Sequence, residues 1–313
     1  SYYFPNFYEQ VNNGNSGDAD LMSNASVLPV RRGSTFFRFP KNNYYTLPQI
    51  LKSNNYYTRS LHASDGAIWN ISTALKSFGF DNSKDMYDFK NSETFWMGLT
   101  DEEFFSQVSD LMNSDSKPFY YYTVTVTSHE PFELPDNMKT LKLDSDFDKT
   151  CMGNYFQAIH YTDKQIGDFI NILDKKGILD SSVIVIYGDH SGIHKYFNDE
   201  INELTQYKSW WDNNFKVPFI IYSKNMTGKN IDTIGGQVDI LPSMLYLMGV
   251  DKSKYENTSM GRNLFNTQKS YVILNNGTII GKNELSQEDI SHVKQSFNIA
   301  DLITRTDYFK NSK

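Results

Sequence analysis

The chain has 313 residues and one cysteine, Cys151. A single cysteine excludes an intrachain disulfide and also excludes zinc clusters built on several thiolates. No apolar run reaches the roughly 18 residues that a membrane-spanning helix needs. The first residues, Ser-Tyr-Tyr-Phe-Pro, lack the charged and apolar regions of a signal peptide. The sequence therefore predicts neither a membrane span nor a secretion signal within its length.

Basic charge is also scarce. The 30 Lys and Arg residues are outnumbered by 37 Asp and Glu residues, which gives a formal net charge of −7. No basic run of the kind that follows a phosphate backbone is present, so we expect no nucleic acid partner. Nor would the net charge attract an anionic lipid surface. Aromatic residues are plentiful, with 21 Tyr and 22 Phe, and they supply material for a packed interior.

Strand-like and helix-like segments alternate through most of the chain. The segments that favour strands by their β-branched and aromatic content are 56–61, 118–127, 182–187 and 217–222. The segments that favour helices are 46–54, 69–78, 101–113, 152–176 and 239–249. This alternation predicts an α/β fold with a mostly parallel central sheet and helices on both of its faces.

The pattern changes after Gly261. Residues 271–280 are typical of a hairpin with an Asn-Asn-Gly turn, and a helix is predicted near Gln287–Phe297. We therefore expect a main α/β domain over residues 1–260 and a small C-terminal α+β subdomain over residues 261–313.

Chemically active side chains stand at the ends of several predicted strands. Asp189 and His190 follow one strand after a single glycine, while His62 and His129 follow two others. Ser16 lies in a Gly- and Asn-rich loop that opens a helix. Because ligands collect at the carboxyl ends of strands in open α/β sheets, we expect these groups to face one site. An Asp-His pair there suggests metal ligands, although the same dipeptide can simply end a strand in a solvated loop.

A hydroxyl, two imidazoles and an acid-imidazole pair suit a metal-assisted nucleophile. A divalent cation would lower the pKa of the Ser16 hydroxyl, and histidines would stabilise the departing oxygen, as in phosphoryl or sulfuryl transfer. Structural interpretations stay open for each residue. Ser16 can be a helix cap, His62 and His129 can be hydrogen-bonded strand ends, and Trp69 can be a core aromatic residue.

Six segments together carry a resemblance to a known family: Gly14–Asp20, Leu61–Asn70, Thr127–Phe132, Tyr187–His190, Gly236–Pro242 and Met260–Phe265. In order and spacing they resemble the extracellular catalytic domain of lipoteichoic acid synthases, a branch of the alkaline phosphatase and sulfatase superfamily. By this resemblance, residues 1–260 correspond to a sulfatase-like catalytic domain without its first strand.

The resemblance implies roles for the catalytic and metal-binding residues. Ser16 occupies the position of the family's nucleophile, which is usually a threonine. Ser16, Asp189 and His190 match metal ligands, with Mn²⁺ the usual ion and Mg²⁺ or Zn²⁺ as other possibilities. His129 would assist catalysis at the oxygen atoms of the substrate phosphate.

The resemblance also implies a substrate and a place of action. His62, Trp69 and His129 would line the phosphate pocket, with Asn15 at its edge. The family removes glycerol phosphate from phosphatidylglycerol, forms a phosphorylated hydroxyl, and extends a polyglycerol phosphate chain on a glycolipid-linked acceptor. The parent protein would be anchored in the bacterial membrane, with this domain on the extracellular face or released to the wall or medium. The oligomeric state is left open.

The chain departs from the family pattern at three points. The family's glutamate ligand follows its first strand, well upstream of the nucleophile, and this chain begins after that point. Ile71 stands where relatives commonly have an arginine, and Asn15 stands where they have a lysine, so the pocket has fewer cations. Two alternatives follow. One is a hydrolytic phosphodiesterase, phosphatase or sulfatase, and the other is a noncatalytic cell-wall binding domain.

Overall fold

The computed structural model describes residues 1–90, 94–193, 195–204, 215–281 and 285–311. The α-helices there are α1 (Ser16–Ala25), α2 (Thr35–Arg38), α3 (Leu47–Lys52), α4 (Ile71–Ser77), α5 (Asp101–Ser114), α6 (Cys151–Lys175), α7 (Asn198–Glu203), α8 (Ile240–Leu247) and α9 (Gln287–Arg305). The strands are β1 (Tyr2–Tyr3), β2 (Phe7–Tyr8), β3 (Tyr57–His62), β4 (Asn82–Lys84), β5 (Thr94–Phe95), β6 (Gly98–Leu99), β7 (Phe119–Val124), β8 (Ile184–Tyr187), β9 (Phe219–Tyr222), β10 (Lys229–Asn230), β11 (Gly235–Gly236), β12 (Val272–Ile273) and β13 (Ile279–Ile280). None of the helices in these ranges is long and apolar enough to span a bilayer.

A parallel sheet with the order β4-β3-β7 confirms the α/β expectation. Strand β3 lies at its centre and is buried from Thr58 onward. Its register with β7 pairs Tyr57 with Phe119 and His62 with Val124. Parallel pairing brings the carboxyl ends of both strands to one edge of the sheet. His62 therefore ends its strand at the same edge as the turn that carries His129.

A second sheet has the order β10-β1-β9-β8 and is mixed. Strand β8 runs antiparallel to β9, with Ile184 opposite Tyr222 and Tyr187 opposite Phe219. The sequence pattern predicts β8 and β9 but not their antiparallel pairing. It also gives no sign of β1, because a two-residue strand is too short to show a period.

Two predicted elements are shorter than expected. The helix predicted over 69–78 begins only at Ile71, because Trp69 and Asn70 have φ values of 57° and 58°. Those values lie in the left-handed region, which an α-helix cannot include. The strand predicted over 118–127 ends at Val124, and the following residues turn. The long helix is where it was predicted, with Thr150 capping Gly153 N at 3.0 Å.

The largest buried cluster joins α1 to distant parts of the chain. Leu21 and Met22 of α1 pack there with Phe36, Phe78 and Phe297. The hairpin of β12 and β13 and the helix α9 occur in the predicted C-terminal segment. The boundary at residue 260 remains a prediction, although α9 contributes to the same cluster as α1.

Phe36 is expected to be a large contributor to stability. It is 2% exposed and its ring lies 5.8 Å from that of Phe78. Phe36→Ala should lower the free energy of unfolding by about 3–5 kcal/mol, because it leaves a cavity in the core. Urea denaturation followed by circular dichroism measures this. The neighbour Phe37 is 57% exposed, so Phe37→Ala is the matched control and should cost less than about 1 kcal/mol. Equal losses in both variants would contradict the packing described here.

Candidate active site

A hydrogen bond joins Ser16 and Asp189, two residues of the proposed site that are far apart in the sequence. Ser16 Oγ donates to Asp189 Oδ2 at 2.5 Å across a separation of 173 residues. Ser16 is the first residue of α1, and Asp189 is the second residue after β8. The side chain of Asp189 remains 42% exposed, so its carboxylate is open to a ligand. The sequence prediction that these two residues lie together agrees with this contact.

His190 lies beside the same carboxylate. Its Nε2 atom is 3.5 Å from Asp189 Oδ2, and its backbone N–H donates to Asp189 Oδ1 at 2.9 Å. Burial alone raises the pKa of Asp189, but the charge of His190 and the hydrogen bond from Ser16 outweigh it and lower that pKa. Burial lowers the pKa of His190, whereas the charge of Asp189 raises it, and the net direction is upward.

A buried polar network ties α1 to β8 beneath these residues. Tyr122 OH donates to Asp20 Oδ1 at 2.5 Å and lies 2.6 Å from Tyr187 OH. Tyr187 OH donates to Ser23 Oγ at 3.0 Å. Burial raises the pKa of Asp20 to about 7, with the Tyr122 hydrogen bond opposing the shift. Because Asp20 and Ser23 belong to α1 and Tyr187 ends β8, the network fixes the helix start relative to the strand end.

Two residues that the sequence analysis missed hold the turn after β8. Gln237 is fully buried, and its Oε1 accepts from Gln10 N at 2.8 Å. Its Nε2 donates to Gly188 O at 3.2 Å and also to Asp189 O. Glu9 accepts a hydrogen bond from the backbone N–H of Ser191. Burial raises the pKa of Glu9, partly offset by that hydrogen bond. An acid directly after the aromatic pair of β2 is the one sequence signal for Glu9.

The contacts of His62 indicate a neutral imidazole ring whose Nε2 atom carries the proton. Its Nδ1 accepts from Ser64 N at 3.2 Å, which puts the proton on Nε2. Nε2 is buried and has no hydrogen-bond partner in the described part of the chain. Burial lowers the pKa of His62 to about 4, against the charge of Asp189. A buried N–H without a partner is costly, so this donor is suited to a ligand oxygen.

His129 lies apart from these contacts. It is exposed, and its Nδ1 is 2.7 Å from Glu130 O. Together with Trp96, Met97, Glu130 and Pro131 it lines a cavity of about 500 Å³. Within the described ranges, no hydrogen bond connects His129 with Ser16 or Asp189. Its catalytic role stays a prediction.

Trp69 and Asn15 both have positive φ angles, which are strained for residues other than glycine. Trp69 is partly buried against the largest core cluster, and its ring centroid lies 5.0 Å from that of exposed Phe37. Asn15 is exposed with φ 43° and makes no side-chain cap for α1. Both remain predicted pocket residues. Ser16 itself is not the cap of α1, because its hydroxyl is used by Asp189.

Three side-chain groups that can ligate a metal lie together here: the Ser16 hydroxyl, the Asp189 carboxylate and the His190 imidazole. His190 Nδ1 lies 2.8 Å from Ser191 O, and this carbonyl can hold the Nδ1 proton and leave Nε2 free for a metal. The described residues contain no group of three or more His, Cys, Asp or Glu side chains that could hold a metal ion. The donors are two such side chains and Ser16 Oγ, which fit a divalent cation that takes its other ligands from substrate or water.

Solved structures with this fold belong to the alkaline phosphatase and sulfatase superfamily, whose members depend on a metal ion. The family model described as Sulfatase matches residues 4–250. The chain therefore belongs to the sulfatase family.

Several relatives are lipoteichoic acid synthases. Lipoteichoic acid synthase 2 of Bacillus subtilis is 34% identical over 263 residues, covering 82% of this chain and 40% of that protein. The lipoteichoic acid synthase of Staphylococcus aureus strain USA300 is 33% identical over 288 residues, covering 90% of this chain and 44% of that protein. The chain thus spans less than half the length of these relatives.

A solved structure supports the same fold and family. The crystal structure of the lipoteichoic acid synthase LtaP from Listeria monocytogenes superimposes with a TM-score of 0.84 at 25% identity, covering 97% of this chain and 83% of that chain. The predicted resemblance and fold class are confirmed by these comparisons.

The burial of His62 leads to a prediction about its protonation. In the folded protein its ring should stay neutral down to about pH 4, whereas in urea it should take up a proton near pH 6.5. The unfolded state therefore binds more protons within this window, so His62 destabilises the fold as the pH falls from about 6.5 to about 4. Nitrogen-15 NMR of the ring measures the pKa and the Nε2–H tautomer. A folded-state pKa at or above the value in urea would contradict this environment.

Proposed function

We propose that this chain is the catalytic domain of a lipoteichoic acid synthase-type phosphotransferase. It would move glycerol phosphate from phosphatidylglycerol to a polyglycerol phosphate chain through a phosphorylated Ser16. The observation that carries the proposal is the 2.5 Å contact of Ser16 Oγ with Asp189, next to His190. The names of the relatives and of the matching structure support the substrate class.

In the first half-reaction, Ser16 Oγ attacks phosphorus. The bond between Oγ and phosphorus forms, the bond from phosphorus to the diacylglycerol oxygen breaks, and diacylglycerol leaves with a proton. Ser16, Asp189 and His190 would hold a divalent ion. Bound there, Mn²⁺, or Mg²⁺ or Zn²⁺ in its place, supplies the positive charge that lowers the pKa of the hydroxyl. The Asp189 carboxylate orients the hydroxyl through its hydrogen bond.

The two histidines would act on the other oxygen atoms. The Nε2–H of His62 is buried and lacks a partner among the described residues, so it can donate to a nonbridging phosphate oxygen. His129 would protonate the departing oxygen from its exposed turn. In the second half-reaction, an acceptor hydroxyl attacks the phosphorylated Ser16, the bond to Oγ breaks, and the hydroxyl of Ser16 regains its proton.

The proposed place of action is the extracellular face of a bacterial membrane, in a parent protein that carries membrane spans. The acceptor would be a glycolipid-linked chain. These points rest on the lipoteichoic acid synthase relatives, of which this chain spans less than half.

One observation favours a hydrolytic alternative. Ile71 is 3% exposed and packs in the core at the start of α4, so this position gives no cation to the phosphate. A less cationic pocket suits a phosphodiesterase, phosphatase or sulfatase that releases its product to water. With headgroup-labelled phosphatidylglycerol, label in a lengthening polymer supports the transferase, and label only in free glycerol phosphate supports the hydrolase.

Substitution of Ser16 tests the nucleophile. Ser16→Ala should lower turnover at least about 10³-fold, since it removes the oxygen that attacks phosphorus. Ser16→Thr keeps the hydroxyl and is the matched control, which should retain substantial activity. The rate of headgroup release from labelled phosphatidylglycerol measures both. Wild-type turnover by Ser16→Ala would remove Ser16 from the mechanism.

Metal titration separates the enzyme from a noncatalytic binding domain. Asp189→Asn keeps the shape of the side chain but removes its charge, so Mn²⁺ should bind at least about tenfold more weakly by calorimetry. Asp163 is an exposed acid on α6, and Asp163→Asn should leave Mn²⁺ binding unchanged. Failure of the wild-type protein to bind Mn²⁺, Mg²⁺ or Zn²⁺ would favour the binding domain.

A further inference from the structure

We propose that an exposed basic and aromatic segment, residues 31–41, docks this domain onto an anionic lipid bilayer beside the active site. The proposal concerns a surface outside the catalytic residues and does not depend on turnover at Ser16. Residues 31–41, Arg-Arg-Gly-Ser-Thr-Phe-Phe-Arg-Phe-Pro-Lys, are called the basic segment below.

Charge is distributed unevenly along the chain. The whole sequence carries 37 acidic and 30 basic residues, yet residues 21–64 contain no Asp or Glu. Three of the six arginines, Arg31, Arg32 and Arg38, lie within eight residues of one another. A local cationic surface is therefore present despite the net charge of −7. An anionic membrane attracts such a surface because the attraction acts only within about a Debye length.

The arginines of the basic segment point to solvent and lie close together. Arg31, Arg32, Arg38 and Lys41 are all exposed. Arg38 Nη1 donates to the backbone carbonyl of Arg32 at 2.8 Å, which draws these two residues together. Their guanidinium groups can bind lipid phosphates in bidentate fashion.

Asp301 is the acid that hydrogen-bonds an arginine of the basic segment among the residues that the structure describes. Asp301 Oδ1 accepts from the backbone N–H of Arg31 at 3.1 Å. The same carboxylate forms an ion pair with Arg305 on α9, and the charge of Arg38 also lowers the pKa of Asp301. Because Arg305 already balances Asp301, the four cations of the basic segment remain in excess.

An exposed aromatic ring lies among these cations. Phe37 is 57% exposed, although Phe36 beside it is buried. Aromatic residues next to cations are typical of surfaces that sit at the headgroup level of a bilayer, since the ring enters the interface while the cations meet phosphates. A soluble polyanion would bind the arginines but would make no favourable contact with an exposed phenyl ring. The combination therefore favours a bilayer as the occupant.

The basic segment is fixed to the first turn of α1, the helix that begins at Ser16. Thr35 Oγ1 donates to Asp18 Oδ1 at 3.0 Å. A side chain at Gly17 would lie 2.9 Å from the Phe36 ring, so α2 packs directly on the start of α1. Phe37 also contacts Trp69, which the sequence analysis predicts to line the phosphate pocket. Docking through the basic segment would bring the bilayer surface close to Ser16.

The test is sedimentation of the purified domain with vesicles. One set contains phosphatidylcholine alone, and the others contain an equal part of phosphatidylglycerol or phosphatidylserine. We expect binding to both anionic sets at low salt, weaker binding at high salt, and little binding to phosphatidylcholine. Equal binding to the two anionic lipids would show a surface interaction rather than occupancy of a headgroup pocket.

Two matched variants carry the same charge change. The triple variant Arg31→Gln, Arg32→Gln, Arg38→Gln should lower the vesicle partition coefficient at least about tenfold, since each basic residue near the surface contributes roughly fivefold. The control triple Lys142→Gln, Lys149→Gln, Lys175→Gln alters exposed lysines elsewhere and should bind like the wild type. Phe37→Ser should weaken binding at high salt as well, because it removes an apolar contact.

The outcomes distinguish this proposal from the proposed function. Both triples should hydrolyse or transfer from a short-chain, water-soluble phosphatidylglycerol at the wild-type rate, and Ser16→Ala should still bind vesicles. Equal vesicle binding by the arginine triple and the lysine triple would overturn the docking surface. Arginine-dependent binding to soluble polyglycerol phosphate without binding to vesicles would also overturn it.

Discussion

The Ser16–Asp189 hydrogen bond is the contact on which the site depends, and it cannot form by itself. A hydroxyl-to-carboxylate bond contributes about 1.5–3 kcal/mol. Bringing together groups that are 173 residues apart costs more than this in chain entropy. The surrounding framework must therefore supply the rest. Burial of α1 in the main core and the tyrosine network between α1 and β8 do so.

A cation would stabilise the acidic groups of the site. Asp189 interacts electrostatically with both Glu9 and Asp20, and burial raises the pKa of those two acids. The charge of His190 and the hydrogen bond from Ser16 lower the pKa of Asp189. A divalent ion at Asp189 would offset the repulsion between its carboxylate and these two neighbouring acids. His62 lies close enough for the charge of Asp189 to act on it, yet burial lowers its pKa and favours the neutral ring.

The sequence allowed a good part of this arrangement to be predicted. Asp189 and His190 were found because a strand of β-branched residues ends abruptly at them, and Ser16 because Gly and Asn residues precede a helix. The antiparallel β9 and the short β1 were not predictable, since pairing direction leaves no period in the sequence. Gln237 and Glu9 were missed because their roles arise from contacts across more than 180 residues. No local pattern marks such contacts.

The most direct test of the central claim is anomalous diffraction from crystals grown with Mn²⁺. We predict one strong peak within coordination distance of Ser16 Oγ, the Asp189 carboxylate and His190 Nε2. A structure in which Mn²⁺ binds elsewhere, or in which Ser16 lies too far from Asp189 to share an ion, would contradict it.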